Sequence, residues 1–139
     1  MTQKELLIDV MRREANSQYF DQVLSIMDSI QQLKSHKKGK TLSYYKEKQI
    51  VAALRTHTLP NTGKFVLSVP NGLAKVCPQA LTTAREIWGG HPLDNQGNPG
   101  NKESSLPMII DQNTFNLGIH VIDKVFRQFS ENGCDGVRG

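Results

Sequence analysis

Apolar residues recur at helical spacing along several stretches of the chain and alternate along one. In MTQKELLIDVMRRE, Leu6, Leu7, Val10 and Met11 share one helical face. Thr2, with Glu5 three residues on, supplies a capping box to start that helix. Asn16-Ser17 ends it. A second stripe then runs through Phe20, Val23, Leu24, Met27, Ile30 and Leu33, with Asp21, Gln22, Asp28 and Gln32 off it. The short connection predicts a helical hairpin.

Residues 32–50 read QLKSHKKGKTLSYYKEKQI. The lysine-rich part, 34–40, is expected as a loop. Thr41 or Ser43 then starts a third helix through Ile50, Val51 and Leu54 to about His57. Pro60-Asn61-Thr62-Gly63 is turn chemistry, and Phe65, Leu67 and Val69 alternate as a short strand ended by Pro70. Residues 56–59 are expected to pair back onto it as a small hairpin.

NGLAKV (71–76) reads as a short helical turn. Pro78 opens a fourth helix with Ala80, Leu81, Ala84, Ile87 and Trp88 on its apolar face, stopped by Gly89-Gly90. Residues 89–107 are rich in Gly, Pro, Asn and Ser, so 90–106 is expected to be a mobile loop. A last helix starts at Asp111 or Asn113, carries Phe115, Ile119, Ile122, Val125, Phe126 and Phe129, and stops at Asn132-Gly133. The expected fold is mainly α: one domain, 1–133, of about five helices with one small β-hairpin, and a flexible tail, 134–139.

At 139 residues, with 37% apolar and 22% charged residues, the chain fits one soluble domain with a modest core. No apolar run reaches the roughly 18 residues of a membrane span, and the N-terminus does not read as a signal peptide. Cys77 and Cys134 do not make a disulfide framework by number or spacing and are expected as one buried thiol and one tail thiol. Both readings point to the cytoplasm. Residues 1–64 hold 11 basic and 6 acidic residues, 11 − 6 = +5, and residues 65–139 hold 6 and 7, 6 − 7 = −1. The basicity lies in the first half, and charge asymmetry of this kind points toward an anionic partner.

Catalytic patterns are absent from the sequence as written. His36, His57, His91 and His120 form no HxxxH pair, His120–Asp123 reads as a surface neighbour, and HPLD reads as a turn. GNPGNKES lacks P-loop spacing, and no serine lies in GxSxG. No metal or cofactor is called for. NGLAKVCPQALTTAREIW has the order of a helix-turn-helix, with Gln79, Thr82, Thr83 and Arg85 facing DNA, though its turn carries proline where glycine is usual.

The lysine stretch remains. Lys34, Lys37, Lys38, Lys40, Lys46 and Lys48 are offset only by Glu47, and the expected helix start beside them favours anions. Tyr44 is placed to stack on bases, and Arg55, Lys64 and Arg85 extend the patch. Such lysines hold phosphates without reading sequence. The competing reading is a solvated hinge between helices. The leading expectation is a small non-enzymatic nucleic-acid-binding or regulatory protein. The alternative is a protein-interaction module docking a partner through the last helix or the 89–107 loop, and an enzyme comes third. A homodimer is expected, since symmetric dimers are the commonest oligomers.

Overall fold

The structure, a computed structural model, describes residues 1–94 and 104–137. Residues 95–103 of the expected loop and residues 138–139 of the expected tail lie outside that range. Helices α1 (Gln3–Ala15) and α2 (Phe20–Asp28) come first, then strands β1 (Lys34–Lys38), β2 (Thr41–Lys46), β3 (Gln49–Thr56) and β4 (Phe65–Val69). Helices α3 (Asn71–Val76) and α4 (Pro78–Trp88) lead to β5 (Leu106–Ile110). The chain closes with α5 (Phe115–Val121), a π-helical turn (Ile122–Phe126) and α6 (Arg127–Asn132), which run on without a break, and a 3-10 turn (Cys134–Gly136).

This is an α+β fold and not a mainly α one. Its centre is a five-stranded antiparallel sheet in the order β1-β2-β3-β4-β5. The correction lies in residues 34–56, expected as a loop and a helix and found as three strands. Ile50, Val51 and Leu54 have helical spacing, but Val51, Ala52, Ala53 and Leu54 are all buried, so β3 has lost the alternation that marks a half-exposed strand. Of the small hairpin arm expected at 56–59 only Thr56 pairs, opposite Phe65, and the segment of β3 opposite β4 is 53–56.

Leu42, Leu54, Leu67 and Met108 stand opposite one another across β2 to β5, each fully buried. They share one buried cluster with Phe20, Met27, Ile122 and Phe126, and Phe20 meets Phe65 edge to face at 5.3 Å. The apolar stripe of the last helix is therefore part of this core. The Thr2–Glu5 capping box forms as its spacing implies. Trp88 is buried and donates to the carbonyls of His91 (3.1 Å) and Pro92 (3.3 Å), anchoring the chain where it leaves α4.

The cysteines also differ from expectation. Cys77, between α3 and α4, is disulfide-bonded to Cys134, so neither is a free thiol. Val137 is buried beyond it, so the first residues of the expected tail are packed against the core.

Candidate functional site: a groove beside the first helix

Helix α1 lies over β1, β2 and β3, fixed at both ends. Lys4 Nζ donates to Ser35 Oγ at 3.2 Å near its start, and Asn61 N–H donates to the Glu14 carbonyl at 2.6 Å near its end. Leu7 and Met11 point into the core, as the helical pattern implies. Leu6 and Val10, from the same expected stripe, are 46% and 38% exposed. They border a groove of about 640 Å³ between α1 and the tips of the strands.

The opposite wall is polar and basic. It comprises Lys37, Gly39, Lys40 and Thr41 at the β1–β2 turn, with Arg55, His57, Thr58 and Pro60 at the end of β3. Gly39, at φ 61°, takes the positive φ that a two-residue hairpin needs at its first central position. That tight turn presents Lys37 and Lys40 to the groove. Glu14 is the one acidic residue on the lining.

Arg55 is paired with Asp94. Asp94, only 3% exposed, accepts from Arg55 Nη1 through Oδ2 and from Thr58 Oγ1 through Oδ1 at 3.0 Å. Burial alone would raise the Asp94 carboxyl. The hydrogen bonds from Arg55 and Thr58 and the nearby charges of Arg55 and His57 outweigh it and hold the group below its ordinary value. Arg55 thus brings less free charge to the groove than Lys37 and Lys40 do.

His57 completes the cluster, with Nε2 3.6 Å from Asp94 Oδ1. Leu59 N–H lies 2.9 Å from His57 Nδ1 and the Leu59 carbonyl 3.3 Å from the same nitrogen, so the backbone of Leu59 holds that side of the ring. The cluster forms a clasp that joins residues 57–59 to β3 and to Asp94.

The expected lysine patch divides. Lys37, Lys38 and Lys40 surround the β1–β2 turn, whereas Lys34, Lys46 and Lys48 lie at the other end of these strands, as Lys34 opposite Tyr45 and Lys46 opposite Gln49 require. Lys46 donates to the Phe129 carbonyl at 3.3 Å and sits 5.8 Å from the Phe129 ring. Tyr44 is 1% exposed and donates to Asp28 Oδ1 at 2.8 Å, so its ring is closed to a nucleobase. Lys64 precedes β4, and Arg85 lies on α4, both outside the groove lining. The helix expected to start at Thr41 or Ser43 is strand β2, so the dipole expected from it is absent.

The helix-turn-helix order is realised only in outline. Helix α3 has six residues, Cys77 alone separates it from α4, and Thr83 is buried. A DNA-reading unit uses a turn of about three or four residues. Among the described residues, no group of three or more His, Cys, Asp or Glu side chains is arranged to hold a metal, and no helix is long and apolar enough to cross a membrane.

Sequence reasoning did not find the groove or the clasp. Leu6 and Val10 read as core residues, and Asp94 meets Arg55 and Thr58 across 39 and 36 residues of chain, where local spacing carries no sign of them. No family model, no curated protein and no solved structure matches this chain.

Proposed function

We propose that the protein is a non-enzymatic binding module whose groove beside α1 receives an acidic, partly apolar segment of a partner protein. One observation carries this reading: exposed Leu6 and Val10 face Lys37 and Lys40 across the groove. Apolar contact would supply affinity, and the lysines would select and steer an acidic partner.

Nucleic acid is the second reading, favoured by exposed Lys34, Lys38 and Lys48 and by the charge of the first half. A phosphate backbone gains little from an apolar wall. The lysines of β1 also have a sufficient structural reason, since β1 is an edge strand and edge lysines oppose pairing with another sheet. That repulsion also weighs against a homodimer joined through β1. The Cys77–Cys134 disulfide supports an oxidising compartment over the cytosol.

Fluorescence anisotropy separates the two ligand classes. A labelled peptide of glutamate and leucine should bind more tightly than a duplex or single-stranded oligonucleotide, and Lys37→Gln with Lys40→Gln should weaken it about tenfold or more. Oligonucleotide binding with no peptide binding would overturn the proposal.

A further inference from the structure

We infer that the segment taken by the groove is an amphipathic α-helix lying along α1, with apolar residues one turn apart and acidic residues on the flank facing the β1–β2 turn. This rests on the groove being the docking surface and adds the conformation of its occupant.

The groove has one regular wall, α1, whose outward apolar residues Leu6 and Val10 are spaced i, i+4. Residues at that spacing form a ridge about one turn long, which a second helix matches with its own i, i+4 row. The other wall consists of strand tips and turns: Gly39, Lys40, Thr41, Thr56, Thr58 and Pro60. A strand could dock there only against a free sheet edge, and of the edge strand β1 only Lys37 lines the groove. An extended segment thus lacks a backbone template, whereas a helix satisfies its own backbone and needs only side-chain contacts. Helix α1 has 13 residues, about 20 Å at helical rise, which sets the docking length at roughly three turns.

A second copy's own α1 is a poorer occupant. Two of its three acids are already engaged: Asp9 accepts from Arg12 at 2.8 Å, and Glu5 closes the capping box with Thr2. Glu14 alone is left to answer Lys37 and Lys40.

The test uses two synthetic peptides of about 14 residues, roughly the length of α1 as a helix. Both carry leucines at i, i+4 and i+7, glutamates on one flank and alanine elsewhere, and one has two central positions replaced by proline. Isothermal titration of the full chain should show the helical peptide binding at least tenfold more tightly, since an interior proline costs a helix enough for about a hundredfold loss. Leu6→Gln with Val10→Gln should remove that difference, and unchanged thermal unfolding would show that this variant still folds. Equal binding of both peptides overturns the helical occupant and leaves the groove reading standing. Binding of neither overturns the groove reading itself. If neither binds while light scattering gives a dimer that Leu6→Gln with Val10→Gln dissociates, the occupant is a second copy and the inference fails.

Discussion

Asp94 shows how one buried carboxylate can organise a site. It accepts from Arg55 and Thr58 and faces His57, so removing its charge leaves a partly buried guanidinium without its main partner. Asp94→Asn should lower unfolding stability by about 2 kcal/mol near neutral pH, below the cost of breaking a fully buried pair because Arg55 is partly exposed. The pH dependence follows from the lowered carboxyl. Its contribution is complete above the ordinary value of 3.8 and is lost as pH falls through the lower value of the folded state. Urea unfolding of wild type and variant should therefore show a gap near pH 6 that narrows in acid, below 3.8. A gap that is constant down to strong acid would show that the charge of Asp94 does not hold the clasp.

Among the elements, the sequence was most legible where one face is apolar and the other wet. Helices α1, α3 and α4 stand where their patterns place them, β4 stands at 65–69 although Val66 is buried along with Phe65 and Leu67, and Thr2, Pro78 and Asn132-Gly133 mark ends close to those observed. The stretch 41–56 was misleading for a physical reason. Strand β3 is buried on both faces, and a bulge between Tyr44 and Tyr45 breaks the alternation that a pleated pair would show. The β-forming Thr41, Tyr44, Tyr45, Ile50, Val51 and Thr56, together with Gly39 at the hairpin turn, were the available signs of strands. Lysines on β1 read as loop composition although they guard a sheet edge. The disulfide was illegible because the sheet and α4 bring together cysteines separated by 57 residues. Closing that loop should contribute up to about 4 kcal/mol through the unfolded chain. Reductant, or Cys77→Ala with Cys134→Ala, should shift the urea midpoint down by a matching amount. A midpoint indifferent to reductant would mean that the pair does not bridge in solution.

For the whole molecule, the candidate site was legible in its charges and hidden in its geometry. Lys37, Lys40 and Arg55 stood out as cations, but their grouping against Leu6 and Val10 depends on a helix laid across three strands. That arrangement is a tertiary fact, set by Leu7 and Met11 entering the core while their neighbours stay out. The central claim is that this groove is the surface through which the protein binds. Titrating the labelled full chain with the acidic helical peptide, followed by backbone amide chemical shifts, tests it most directly. The account predicts changes concentrated at Leu6, Val10, Lys37, Lys40 and Thr58, with Lys34, Lys48 and Arg85 unmoved. Changes centred on Lys34, Lys38 and Lys48 with the groove residues silent would contradict it.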